Sequence, residues 1–235
     1  MSFLNRTTEI KTESLQEKLN DATSAKVSIS VPMEHAIIRA LEKDTDNLFQ
    51  AELEYIGELE YDVEHDDDGT TIIGLNERIR NTNYSGELPL WDIKLSPDLP
   101  LDLSFELNSG KMEADLREMQ LTDIALEMNS GKLDIKLPQS TDTINGNKFV
   151  VNSGRVRCSI PPKTIFNSTP LKLNSGHVDI AVAEHSTLAM PKLIVNSGEL
   201  SVSIGPNVDF AVPSIQVNSG KCHVEIGPGT ALETN

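Results

Sequence analysis

The tripeptide Asn-Ser-Gly occurs six times in this chain, opened by Asn108, Asn129, Asn152, Asn174, Asn196 and Asn218, at intervals of 21, 23, 22, 22 and 22 residues. A nearly constant period of this size marks a stacked repeat, in which each unit is one turn of a larger spiral. The flanking residues say which kind. Four, six and eight places past each asparagine the side chains are apolar, from Met112, Ala114 and Leu116 through Val156, Cys158 and Ile160 to Cys222, Val224 and Ile226. The positions between them are polar in every repeat except at Ala181. Such period-two alternation predicts a strand with one buried face. Three places and one place before each asparagine the residues are again apolar, as in Phe105 and Leu107 or Ile215 and Val217, which predicts a second strand. The inward parity switches across the tripeptide, so Asn-Ser-Gly is a bend, with glycine able to take a positive φ there. Pro138, Pro161-Pro162, Gly205-Pro206 and Gly227-Pro228 end the following strand, and Ile144, Phe166, Leu188 and Phe210 mark a short third arc.

Hairpins of a sandwich do not hold so fixed a length, whereas the coils of a solenoid must. The expected fold is therefore all-β: a single-domain β-solenoid, or β-helix, with coils of about 22 residues and like residues stacked at a rung spacing of ~4.8 Å. One coil alone buries too little apolar surface to offset its ordering entropy, so each depends on its neighbours. Six stacked asparagines can pass an amide hydrogen bond from coil to coil, a structural ladder. The plainer reading is that asparagine tolerates a tight turn. Gly110, Gly131, Gly154, Gly176, Gly198 and Gly220 are the corner glycines of either reading.

The first hundred residues are less regular. Residues 1–24 read as a flexible, polar, weakly helical arm. Residues 25–100 read as irregular capping strands and first coils, with "KVSISV", "LFQAELEY", "ELEYDVEH" and "TTIIGL" as strands and Asp68-Gly69 as a turn. "NYSGELPLWDIKL" carries a decayed motif at Ser85-Gly86, and residues 101–230 form the regular stack, so that 25–230 is one continuous domain. Only "GPGTALETN" follows the last coil, which predicts a poorly covered edge there.

Composition narrows the partners. With 20 Lys and Arg against 36 Asp and Glu, the net charge of −16 disfavours nucleic acid and anionic lipid surfaces. No stretch approaches a membrane span, the opening residues show no apolar leader, and two cysteines fit a reducing compartment, so the expected location is cytoplasmic.

Position three past each asparagine holds Lys111, Lys132, Arg155, His177, Glu199 and Lys221. This basic edge on an acidic chain is a candidate for binding an anion or a partner, with Glu106 and Glu127 as possible ion-pair partners of Lys111 and Lys132 across the bend. Arg157, between Asp134 and Asp179 in one column, resembles the charged groups of β-helical enzymes that cleave acidic sugars. Alternating charges that neutralise one another, as Asp115 and Lys136 would, explain it better. Asp66, Asp67 and Asp68 lack the spacing of a dedicated calcium loop and read as a solvated turn. His35, His65, His177, His185 and His223 show no metal-ligand spacing, and Cys158 and Cys222 lie three coils apart, about 14 Å, too far for a disulfide. No nucleophile elbow, phosphate loop or dinucleotide fingerprint is present, so no catalytic residue, metal or cofactor is expected.

"WDIKLSPDLPLDLSFELNSGKMEADLREMQLTDIALEMNSGKLDIKLPQ", residues 91–139, resembles the toast-rack domain of LiaF-like cell-wall-active antibiotic response proteins and related adhesin-like proteins. "VNSGRVRCSI", "LNSGHVDIAV", "VNSGELSVSI" and "VNSGKCHVEI" are similar to the repeating adhesin segment, and the likeness spans residues 25–230. The resemblance implies a β-helical, non-enzymatic module with regulatory or adhesive roles. The expected function is a protein-interaction or scaffold module, in cell-envelope-stress regulation or adhesin-like, with another protein as partner. The alternatives are a polymerising cytoskeletal-type solenoid joined through its terminal coils and a polysaccharide-active β-helix enzyme.

Overall fold

The computed structural model describes residues 9–79 and 86–232, so Ser85 of the decayed motif and residues 1–8 of the expected arm lie outside the described residues. The alternation of the sequence becomes strands. Seven cover the N-terminal part: β1 (Lys11–Lys18), β2 (Ser24–Val31), β3 (His35–Ala40), β4 (Asn47–Tyr55), β5 (Glu58–His65), β6 (Thr70–Arg78) and β7 (Leu90–Leu95). The first three Asn-Ser-Gly corners join β8 (Pro100–Leu107) to β9 (Lys111–Asp115), β10 (Gln120–Met128) to β11 (Lys132–Lys136), and β12 (Thr143–Val151) to β13 (Arg155–Ile160). Then come β14 (Ile165–Ser168), β15 (Leu171–Val182), β16 (Thr187–Ala189), β17 (Leu193–Ile204), β18 (Asp209–Ala211), β19 (Ile215–Val217), β20 (Lys221–Ile226) and β21 (Ala231–Leu232). β15 and β17 run through their Asn-Ser-Gly without a break. No helix occurs among the described residues.

These strands stack into three sides of a β-solenoid with coils of about 22 residues. On the first side β8, β10, β12, β15, β17 and β19 pair in parallel and in register, so that Phe105, Leu126, Phe149, Leu171, Leu193 and Ile215 form one column. On the second side β9, β11, β13, β15, β17 and β20 set Met112, Leu133, Val156, Val178, Leu200 and Cys222 in another. The third side, from the start of β12 through β14, β16, β18 and β21, carries Ile144, Phe166, Leu188 and Phe210, all buried. Each coil thus seals its neighbour's face and backbone, as a repeat with no self-sufficient core requires.

The corner glycines are fixed by closeness more than by φ. Gly110, Gly131, Gly154 and Gly176 have φ between +88° and +99°, whereas Gly198 and Gly220 do not adopt the left-handed region. A Cβ on Gly198 would nevertheless lie 2.6 Å from the carbonyl oxygen of Gly176, and the same clash recurs along the column.

The N-terminal part extends the same spiral out of chain order. β2 and β3 form a coil directly on β8 and β9, with Pro32-Met33-Glu34 as its corner, and β6 and β7 stack on the other side of that coil. The chain then covers its own end: β4 lies antiparallel on β7, β1 on β4, and β5 on β6. Asp68-Gly69 forms the turn of the β5–β6 hairpin, with Gly69 at φ +85°. Lys11–Lys18 is therefore a strand and not a weakly helical arm. Its Glu, Gln, Lys and Leu favour helix locally, but pairing with β4 from Lys11 to Lys18 overrides that preference.

Candidate functional site

The asparagines project from the corner between the first two sides and stack without a gap. Each Nδ2 donates to the Oδ1 one coil earlier: Asn129 to Asn108 at 2.7 Å, Asn152 to Asn129 at 2.7 Å, Asn174 to Asn152 at 2.6 Å, Asn196 to Asn174 at 2.7 Å and Asn218 to Asn196 at 2.7 Å. Asn108 closes the N-terminal end on Glu106 at 3.3 Å, and Gln216 donates to Asn218 Oδ1 at 3.2 Å. Every side-chain amide oxygen of the column already accepts a bond, so its chemistry goes into joining coils rather than holding a ligand.

Lys111, Lys132, Arg155, His177, Glu199 and Lys221 form one column beside the ladder. Their ion pairs differ from those expected across the bend. Lys111 meets Glu113, Lys132 meets Asp134 at 3.1 Å, and Glu127 instead meets Lys148 at 2.5 Å. The reason is strand geometry, since residues two apart project from one face whereas the corner turns Glu106 and Glu127 onto another side. Lys111 and His35 hold the Glu113 carboxyl below its usual range. His177 bridges Asp179 at 2.7 Å and Glu199 at 3.5 Å.

The outer face of the second side continues this pattern. Lys136 reaches Asp115 at 3.6 Å, Arg157 reaches Asp179 at 3.8 Å, and Arg117 clamps Asp115, holding its carboxyl below the usual range. Where β3 ends beside β9, a groove of about 530 Å³ opens between Arg39, Asp115, Arg117 and Lys136. Its charges are of both signs and largely paired. Arg157, Asp134 and Asp179 lie in register on a flat face, and no set of side chains there converges on a point, as a catalytic constellation must. Among the described residues no group of three or more His, Cys, Asp or Glu is placed to hold a metal. Asp68 accepts the Thr70 N–H at 2.9 Å, which stabilises its charged form within the turn. Cys158 and Cys222 are free thiols, and burial pushes Cys158 up to about 12.

One buried polar group was not anticipated. Glu34 occupies the corner place that Gly110 takes one coil later, and its side chain is fully buried beside Glu77 of β6. Glu77 Oε1 accepts the N–H groups of Ile56, at 3.0 Å, and Gly57, while Met33 N–H donates to Glu34 Oε2 at 3.0 Å. Neither Glu34 Oε1 nor Glu77 Oε2 meets a hydrogen-bond donor among the described residues, and burial beside the second carboxyl favours the protonated form of Glu34. Burial first, and the bond to Glu77 second, push Glu34 up to about 8. The only signal in the sequence is that "VSISVPMEHAIIRA" keeps the coil's alternation around a corner without Asn-Ser-Gly.

The family model described as the N-terminal domain of toast_rack, DUF2154, matches residues 5–154. The crystal structure of a putative cell adhesion protein from Clostridium sporogenes is similar over 93% of this chain and 100% of that one, with 15% identity and a TM-score of 0.54. A putative adhesin from Bacteroides fragilis aligns over 93% and 97% at 14% identity, with a TM-score of 0.40. No functionally curated protein matches the chain. The cytoplasmic location expected from the sequence is overturned by this likeness, because the Clostridium protein that shares the fold is a putative cell adhesion protein. Acidity and two unpaired thiols fix no compartment. No helix of the described residues is long and apolar enough to cross a membrane.

Proposed function

We infer the role of this protein from its membership: the chain belongs to the toast-rack N-terminal domain family. We propose that it acts by binding another protein, with no chemistry of its own, and that the outer face of the second side and its basic edge form the surface it offers. The observation that carries this reading is electrostatic. The charges on that face are paired within the plane of the sheet, over a closed core, and they converge on no reacting atom. Within the basic edge, Lys111 and Lys132 are held by Glu113 and Asp134, whereas Arg155 is exposed and offers its planar fork to a carboxylate of the partner. An adhesive role is supported by the fold shared with the Clostridium protein. Regulation of envelope stress is the second reading, favoured by the toast-rack match over residues 5–154.

The test is retention of bacterial cells, or of their detergent-extracted envelope proteins, on beads carrying the intact chain. Lys132→Glu combined with Arg155→Glu is expected to weaken retention by about tenfold while lowering the melting temperature by no more than about 4 °C, the cost of the lost Lys132–Asp134 pair. Unchanged retention would remove this edge from the binding surface. Release of reducing ends from acidic glycans, abolished by Arg157→Ala, would replace binding by catalysis.

A further inference from the structure

The two ends of the spiral differ, and the C-terminal one has no cover among the described residues. β19 and β20 pair only with β17, and β21 only with β18, so their outer edges present unpaired N–H and C=O groups. Side chains sealed one coil earlier are open here. Val195 is 0% exposed and Val217, stacked on it, 41%, while Ile204 is 4% exposed and Ile226, stacked on it, 43%. Ile215 is exposed as well, and Cys222 and Val224 are only half-buried. Such an edge recruits another strand.

We propose that this coil is covered by the same coil of a second copy, tail to tail about a two-fold axis, with β20 antiparallel to its counterpart. Three observations select that occupant. Head-to-tail stacking is disfavoured, because the N-terminal end finishes in the antiparallel strands β1 and β5, whose side chains are mostly polar and exposed, and offers no apolar coil to match the C-terminal one. A two-fold axis across the spiral reverses strand direction, and an antiparallel strand on a parallel stack is the junction this fold already makes where β4 meets β7 and β5 meets β6.

The sequence of β20, Lys221-Cys-His-Val-Glu-Ile226, also complements itself. Antiparallel pairing centred on His223 sets Lys221 of each copy opposite Glu225 of the other, and on the inward face sets Cys222 opposite Val224, which continues the core across the junction. Centring one residue later places Lys221 opposite Gly227 and forfeits both ion pairs. Closure by a two-fold also ends the assembly at two copies, which distinguishes it from a filament.

Sedimentation of the full chain across a concentration series reads the outcome. The expected result is a monomer–dimer equilibrium with no larger species. Lys221→Glu and Glu225→Lys are each expected to raise the dissociation constant by about tenfold, and the combined charge swap to return it to within about threefold of the starting value. Cys222→Ser with His223→Cys is expected to give a covalent dimer on mild oxidation, because the two new thiols face each other at the axis. A monomer at every concentration, a mass that grows without limit, a charge swap no better than either single change, or failure of His223→Cys to cross-link would each overturn the proposal.

Discussion

The coil cornered by Pro32-Met33-Glu34 and the six coils cornered by Asn-Ser-Gly share one geometry but satisfy it by different means. In the regular coils the bend is held by a running amide ladder and by glycines that let successive backbones touch. In the N-terminal coil the corner carries a buried carboxyl pair, and the end beyond it is closed by antiparallel strands over Trp91 and Phe49. A ladder spreads its stabilisation over many identical rungs and is indifferent to pH. A lone buried pair concentrates its effect at one place and depends on a proton.

That contrast can be broken first at the glycine column. Gly176→Ala forces a Cβ against the Gly154 carbonyl at a positive φ of 97°, and is expected to cost about 4 kcal/mol in the urea midpoint analysis, among the larger single-site losses. A smaller loss, below about 1 kcal/mol, would mean the coils can spread apart.

The ladder itself comes next. Asn152→Leu leaves Asn129 Oδ1 without its donor and Asn174 Nδ2 without its acceptor, an expected cost of about 3 kcal/mol, whereas Asn218→Leu strands Asn196 Oδ1 and an exposed Gln216 amide that water can satisfy, and should cost about 1. Equal melting shifts in the two variants would reduce the asparagines to turn formers.

The carboxyl pair shows itself last, as a pH dependence. Glu34 in the unfolded chain titrates near 4.5 and in the folded chain near 8, so the folded state holds an extra proton between those values. Its contribution is full below the unfolded value and is lost as pH rises through the folded one. Urea midpoints should therefore fall between pH 5 and pH 8.5, and Glu34→Gln should flatten that slope. A slope unchanged in the variant would assign the titration elsewhere.

The regular half was legible because one period, one parity switch and one tripeptide all demanded the same coil. The asparagine and glycine columns follow from that register once coils stack. Three features were hidden for physical reasons. β1 has helix-favouring residues and is held by backbone pairing, which leaves no apolar pattern in Lys11–Lys18. The insertion of the β2–β3 coil between β6–β7 and β8–β9 is a matter of chain path, on which periodicity is silent. Glu34 and Glu77 are ionisable residues in stretches that otherwise alternate, and only the stacking of β6 on β2 reveals that they meet indoors. For the basic edge the column was readable from spacing, but its ion pairs were not, because i to i+2 neighbours along a strand outcompeted partners across the corner.

The central claim is that residues one period apart lie on adjacent rungs. In a chain with Cys158→Ser and Cys222→Ser, the pair Asp134→Cys and Arg157→Cys, register partners on β11 and β13, should form a disulfide rapidly under mild oxidation. Asp134→Cys with Asp179→Cys, two rungs apart at about 10 Å, should not. Equal cross-linking of both pairs, or of neither, would contradict the stacked spiral.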